Sequence, residues 1–360
     1  MSQGPIEKNP SRGEFRTIGG VITSVHVGLR ADQYLSEQYP FFSRASWQKR
    51  MREGWLLVNR CRIRPSYRLR EGDQVELFYP LCAEPDVDRG IYPVWKKGAV
   101  MAVYKPGNLP IHENGPYRKN TFAHILQEEL GKEWAAVHRL DKETSGIVLC
   151  GATYEVRQEL SRSLAKRVLD KEYLAIAKGR PKAASWAETG SIGDLSDSPI
   201  RIKKWVVPDG LPSETEFEVL EEKAGRVLLA AKPKTGRTNQ IRIHAAYSGL
   251  PLVGDKLYHP DEQVFLNWFE DGMSDDIVRQ TGFRRCLLHA HRLTFIHPET
   301  EQIETVVCPM PEDMQEYWQE PDAERWLSLG EDYDPGENSA PGRWLQTLRS
   351  FEVDAADSRL

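Results

Sequence analysis

The stretch HRLDKETSGIVLC, His138 to Cys150, sets two carboxylates, Asp141 and Glu143, among basic residues and then turns through Thr-Ser-Gly into an apolar run. Four apolar residues bracketed by Gly146 and Gly151 read as a buried strand. An Asp beside an Arg is most often a surface ion pair, which contributes little. A carboxylate that works at neutral pH must instead stay ionised in a cleft, with a cation to hold it. The segment GRTNQIRIH, residues 236–244, offers one. On a strand, Arg242 would face away from Ile241 and Ile243. Asp141 and Arg242 are then expected to form a charge-assisted pair, bidentate if well aligned. Glu143 is read as a surface carboxylate. Two residues from Asp141 on a turn, it does not suit the paired-acid geometry of a glycosidase.

Working outward, residues 99–112 read as a buried strand broken by Lys-Pro-Gly, and 121–130 as a short amphipathic helix. Val156, Leu160, Leu164 and Val168 recur every four residues and mark a helix face. EYLAIAKG reads as a strand, 214–233 as a hairpin turning near Ala224-Gly225, and 286–298 as a further strand. Many hairpins and few strand-helix-strand units predict an α+β fold, a mixed and largely antiparallel sheet with flanking helices. Neither GxGxxG after a strand nor GxxxxGK[ST] occurs, so a doubly wound nucleotide fold is not expected.

The chain has 360 residues, 40 % hydrophobic and 28 % charged, enough for two domains. It shows neither an apolar run of membrane-spanning length nor a secretory leader, so no membrane partner is expected. Five scattered cysteines without a CxxC suggest reduced thiols and the cytoplasm. The net charge is −5, but it is unevenly spread. Residues 311–360 hold thirteen acids and four Arg, a balance of −9, which leaves +4 on residues 1–310. Residues 43–70 hold nine Lys or Arg and one acid. That local field suits a polyanion.

The expected layout is a flexible arm over 1–20, a small basic domain over 21–80, a linker over 81–93, the main domain over 94–318 and an acidic extension over 319–360. In the basic domain, VITSVHV (21–27) reads as a strand. Ser43 reads as the N-cap of a helix over Arg44 to Arg52. Arg44, Gln48 and Arg52 form one stripe of that helix, with Lys49 and Arg50 beside it and Trp47 and Met51 on the apolar side. Arginines 60, 62, 64, 68 and 70 follow. Arg44, Lys49, Arg50 and Arg60 are the cations expected to track an RNA backbone. RADQYL, SRASWQKRMREGWLLVN and RLREGDQVEL, residues 30–79, resemble the small RNA-binding module named after ribosomal protein S-four.

The main domain resembles the RluA-type pseudouridine synthases. HRLDKETSGIVLCG is similar to their H-R-L-D-x-x-T-S-G signature. In order, KPGNLPIH, KEYLAIAKG, TGRTNQIRIHAAYSGLPLVGDKLY and LHAHRLTFIHP are similar to the other motifs of that family. The resemblance implies isomerisation of uridine in RNA. The N1–C1′ bond breaks, the uracil rotates and a C5–C1′ bond forms, without metal, redox change or small-molecule cofactor. It implies that Asp141 is the essential carboxylate, attacking C1′ or C6 or removing the C2′ proton. Tyr173 would stack on the base, Arg242 would pair with Asp141, and Arg139 would fill the gap left by the flipped nucleotide. Arg237 joins Arg139 among the RNA-contacting cations. Asn239 departs from the family pattern, which has His there.

His289, His291 and Cys286 lack a zinc-type spacing, so no metal site is expected. The RNA is expected to be large-subunit ribosomal RNA. A Tyr-Arg-x-Asn element at 117–120 keeps transfer RNA as the alternative. A catalytically silent RNA-binding relative is the other alternative, against which stands the full trio Asp141, Tyr173 and Arg242. The chain is expected to act as a monomer.

Overall fold

A computed structural model describes residues 15–39, 44–80, 84–114, 117–165 and 170–320. The chain divides into two compact units, 1–85 and 86–360.

The first unit begins with β1 (Phe15–Val21), followed by α1 (Ala31–Gln38), α2 (Arg44–Glu53), β2 (Leu56–Val58), β3 (Cys61–Arg62) and β4 (Gln74–Pro80). The strands form an antiparallel sheet in the order β1-β4-β2-β3. Leu35 four residues after Ala31, and Met51 four after Trp47, put an apolar stripe of each helix onto Leu56, Val58, Val75 and Leu77. Asn59 and Arg60 both have positive φ, which lets a two-residue turn join β2 to β3. Two expectations change. Residues 15–20, assigned to a flexible arm, belong to β1, paired with β4 from Phe15↔Pro80 to Val21↔Gln74. VITSVHV is not a strand: β1 ends at Val21 and a 3-10 turn covers Ser24–His26. The proposed cap Ser43 lies outside the described residues.

The second unit opens with β5 (Tyr92–Lys97), β6 (Val100–Lys105), α3 (Phe122–Glu129), β7 (Ala135–Ala136), β8 (Ser145–Gly151) and α4 (Tyr154–Ala165). It continues through β9 (Asp170–Lys178), β10 (Ser185–Glu188), β11 (Ile192–Asp194), β12 (Lys204–Val206), β13 (Thr215–Lys223) and β14 (Arg226–Pro233). Then come α5 (Gln240–Tyr247), α6 (Glu262–Asp271), α7 (Asp275–Thr281), β15 (Leu288–Ile296), β16 (Ile303–Val307) and α8 (Glu312–Gln319). Eight strands run in the order β10-β13-β14-β9-β15-β8-β6-β5, with β16 beside β15 and β7 beside β8. Among the described pairings of this sheet only β8 with β15 is parallel. The sheet is therefore mixed and largely antiparallel, as its hairpins predict.

Why Val100 to Val103 form an unbroken apolar run is now plain. Met101 and Val103 pack with α3 residues Phe122, Ile125 and Leu126, while Val100 and Ala102 pack with α4 residues Val156 and Leu160. β8 divides its side chains in the same way, Val148 and Cys150 against Ile147 and Leu149. A strand covered on both faces has no polar alternation. The β13–β14 hairpin turns at Ala224-Gly225, both with positive φ. The expected linker is shorter at its C-terminal end than 81–93, because Val87 and Ile91 pack on the second unit's core and β5 starts at Tyr92. Residues 81–83 and 321–360, hence nearly all of the acidic extension, lie outside the described residues.

Candidate active site

Asp141 sits in the turn that feeds β8, with Thr144 N–H donating to its carbonyl at 3.1 Å. Gly146 makes this approach possible. Its φ is +118°, and a Cβ there would lie 2.3 Å from the Ala290 carbonyl oxygen of the parallel neighbour β15. Arg242 comes from the first turn of α5: of the strand or helix start that residues 236–255 allow, the helix forms, over Gln240–Tyr247. Ile241 and Ile243 are both buried, but in different apolar clusters, and Arg242 points between them to the carboxylates.

The pair forms, but not as a fork. Arg242 Nη1 reaches Asp141 Oδ2 at 3.2 Å. The bidentate partner is Asp255, which takes Nε at 2.6 Å and Nη2 at 2.8 Å and is 1 % exposed. Asp255 Oδ1 also accepts from the backbone N–H groups of Leu257 and Tyr258 at 3.0 Å each. Burial pushes the Asp255 carboxyl up, but the charge and hydrogen bonds of Arg242 outweigh it and hold it below the usual carboxylate range. Gly254 brings Asp255 in, since a Cβ there would collide with the Arg285 backbone at 1.7 Å. Asp141 keeps one carboxylate oxygen with no hydrogen-bond partner among the described residues, and its side chain is 28 % exposed. A charged oxygen open to solvent and backed by a fixed cation is what a reacting carboxylate needs.

Asn239 is placed to take over part of this work. It has left-handed φ/ψ of 56° and 19° at the N-terminus of α5, a conformation Asn tolerates. Its Oδ1 accepts from Arg242 Nη1 at 3.0 Å and its Nδ2 donates to the Tyr258 hydroxyl at 3.1 Å. The Arg242 guanidinium lies 5.1 Å from the Tyr258 ring centre. Tyr173, on β9 between Ala231 and Ala290, is half-buried. Burial, with the Asp141 charge adding to it, pushes its phenol up, so the ring is neutral at physiological pH.

Glu143 is not a surface carboxylate. Its Oε2 accepts from Cys286 N–H at 2.7 Å and its Oε1 pairs with buried Lys256 at 2.6 Å. Arg285 donates to the Glu143 carbonyl at 3.3 Å and forks onto Asp313 at the start of α8 at 2.6 and 2.7 Å. Lys105, fully buried, donates to the carbonyls of Pro106, Leu109 and Lys142. The turn carrying Asp141 is thus held from behind by two buried cations and its own Glu143. Sequence reading missed Asp255, Glu143, Lys105 and Arg285. Asp255 had a signal, a carboxylate directly after the glycine of LVGDKLY.

The other expected residues are distributed. Arg139 is exposed, and its side chain has no partner among the described residues. Arg237 is half-buried and donates to the Pro212 carbonyl. In the first unit Lys49 and Arg60 are exposed, and Arg50 lies 5.2 Å over the Trp55 ring. Arg44 stays exposed, but its guanidinium joins Arg30 and Gln48 around the fully buried carboxylate of Asp32. Its stripe therefore serves the unit's own packing as well as its surface. His289 has both ring nitrogens engaged, by Ser145 Oγ and the Cys308 carbonyl, which His291 also contacts. Cys286 faces Asp255, and burial raises its thiol.

Residues 99–247 match the family model for RNA pseudouridylate synthases. Ribosomal large subunit pseudouridine synthase C of Escherichia coli (strain K12) is 30 % identical over 308 residues, covering 81 % of this chain and 93 % of that protein. The chain belongs to the RluA-type pseudouridine synthases. The synthase is also 30 % identical to Ribosomal large subunit pseudouridine synthase D of Xanthomonas campestris, over 82 % of this chain and 89 % of the relative. Among solved structures, Human RNA Pseudouridylate Synthase Domain Containing 1 aligns with 63 % of the synthase and 86 % of itself, at 24 % identity and a TM-score of 0.49. The enzyme isomerises uridine in RNA, and the matched region holds Asp141, Tyr173, Asn239 and Arg242. No helix among the described residues is long and apolar enough to cross a membrane.

Proposed function

We propose that this synthase converts uridines of large-subunit ribosomal RNA to pseudouridine, with Asp141 as the working carboxylate. The observation that carries the site assignment is the free Asp141 oxygen, backed by an arginine whose fork is already taken by Asp255. A bidentate clamp on Asp141 would occupy both of its oxygens; a single N–H leaves one for the sugar or the base. Tyr173, as a neutral phenol, offers a flat face on which an extruded uracil stacks, and Arg139, exposed beside the turn, fills the space the nucleotide leaves. The ribosomal assignment is supported by the names of the synthases in Escherichia coli and Xanthomonas campestris. The first unit, with Lys49 and the arginine-bearing β2–β3 turn exposed, suits a phosphate backbone and serves as the S-four-like RNA-binding domain. Action as a cytoplasmic monomer, with no small-molecule cofactor, completes the reading.

Pseudouridine mapping of total RNA from cells with and without the gene tests the substrate. A lost site in large-subunit RNA is expected, and loss confined to transfer RNA overturns the ribosomal assignment. Asp141→Asn tests the site: RNA binding is expected to persist while turnover disappears. Turnover at the parental rate would remove Asp141 from the mechanism.

A further inference from the structure

We propose that Lys142 is a phosphate-binding residue for the RNA strand that carries the target uridine, with Tyr117 holding its ammonium in place. The proposal deepens the reading above and takes from it the position of the reacting nucleotide at Asp141.

Lys142 follows Asp141 directly, so its ammonium lies within one side-chain length of the candidate reaction centre. Its Nζ donates to the Tyr117 hydroxyl at 2.5 Å and lies 4.7 Å from that ring's centre. A lysine has three N–H donors. Among the described residues the ammonium has no other hydrogen-bond partner and no carboxylate within ion-pair distance. It is half-buried, where an unpaired charge is costly unless an anion completes it.

The surroundings make the shortage of anions sharper. The Lys142 carbonyl is held by the buried ammonium of Lys105 at 3.1 Å, and that group is itself pushed down by burial and by the positive charges of Arg285 and Lys142 around it. Arg139 adds a further exposed cation three residues away. The carboxylates of Asp141 and Asp88 offset part of this charge at Lys105, but Asp141 is already paired with Arg242. Among the described residues, Lys142 and Arg139 are the cations of this edge without a carboxylate partner, and an RNA strand supplies one phosphate per nucleotide.

Tyr117 explains why a flexible lysine is useful here. The cation–π contact and the hydroxyl restrict the side chain to one place before RNA arrives, which lowers the entropy lost on binding. Lys142 remains a point charge that tolerates several phosphate orientations.

The test is equilibrium binding of full-length protein to a large-subunit ribosomal RNA transcript over a series of sodium chloride concentrations. Phosphate contacts are read by salt dependence whatever the sequence, so the measurement stands whichever RNA is cognate and whether or not Asp141 is the catalyst. Lys142→Gln is expected to weaken binding about tenfold and to flatten the plot of log affinity against log salt by about 0.7, the value for one single-strand phosphate. Lys142→Arg should restore the slope. Tyr117→Phe should keep the slope and weaken binding about threefold, the size of one lost hydrogen bond. A parental slope in Lys142→Gln overturns the proposal, as does a flattened slope in Lys142→Arg.

Discussion

Replacing Asp255 with Asn separates the two roles of the arginine between the carboxylates. Asp255 is fully buried and takes both edges of the Arg242 fork, while Arg242 itself is 13 % exposed. Asn keeps an oxygen for the N–H groups of Leu257 and Tyr258 but turns a donor toward one guanidinium N–H. Breaking a buried pair costs about 3–5 kcal/mol, and the retained backbone bonds favour the lower end, about 3 kcal/mol. At roughly 2–4 °C per kcal/mol, the second unit should melt roughly 6–12 °C lower. The freed guanidinium has one anion left within reach, Asp141, and forking onto it would cover the open oxygen. Single-turnover assays should show the rate falling at least tenfold, about 1.4 kcal/mol, with RNA affinity little changed. The acid limb adds a sign. The Asp255 carboxyl is held below its unfolded value, so its stabilisation is full above about pH 4 and is lost as pH falls through the lowered folded value. The Asn variant should lack that part of the acid dependence. A variant that melts within 2 °C of the parent, by the scale of about 2–4 °C per kcal/mol, and reacts at the parental rate would refute the view that Asp255 sets the arginine.

Glu143→Gln breaks the pair with buried Lys256, and chemical denaturation should show a loss of about 3 kcal/mol; a true surface position would change stability by less than about 0.5 kcal/mol. Burial pushes His138 and His289 down to about 3, so both stay neutral in the fold while their unfolded forms protonate near pH 6.5. Stability should therefore fall as pH drops from about 6.5 toward 3. His138→Gln, whose amide oxygen can still accept from Leu149 N–H, should make that fall shallower when urea unfolding is compared at pH 7.5 and pH 5.

Much of this protein is legible residue by residue. The both-sided strands β6 and β8 are continuous apolar runs, the β13–β14 turn is announced by Ala-Gly between two apolar segments, and ordered motifs place Asp141, Tyr173 and Arg242 in one family. Those features are local: side-chain period, turn chemistry and spacing act within a few residues. Other features are not. IRIH alternates like a strand yet begins a helix, because burial on α5 is shared between two apolar clusters. Glu143 reads as a solvated charge because its partners, Lys256 and Cys286, lie more than 100 positions away. Arg242 is 101 residues from Asp141 and only 13 from Asp255. Sequence names the arginine and Asp141 but not Asp255, and that Asp255 receives the fork depends on where Gly254 and the β8–β15 contact bring the backbones together. That choice leaves one Asp141 oxygen open, and packing across the whole sheet makes it.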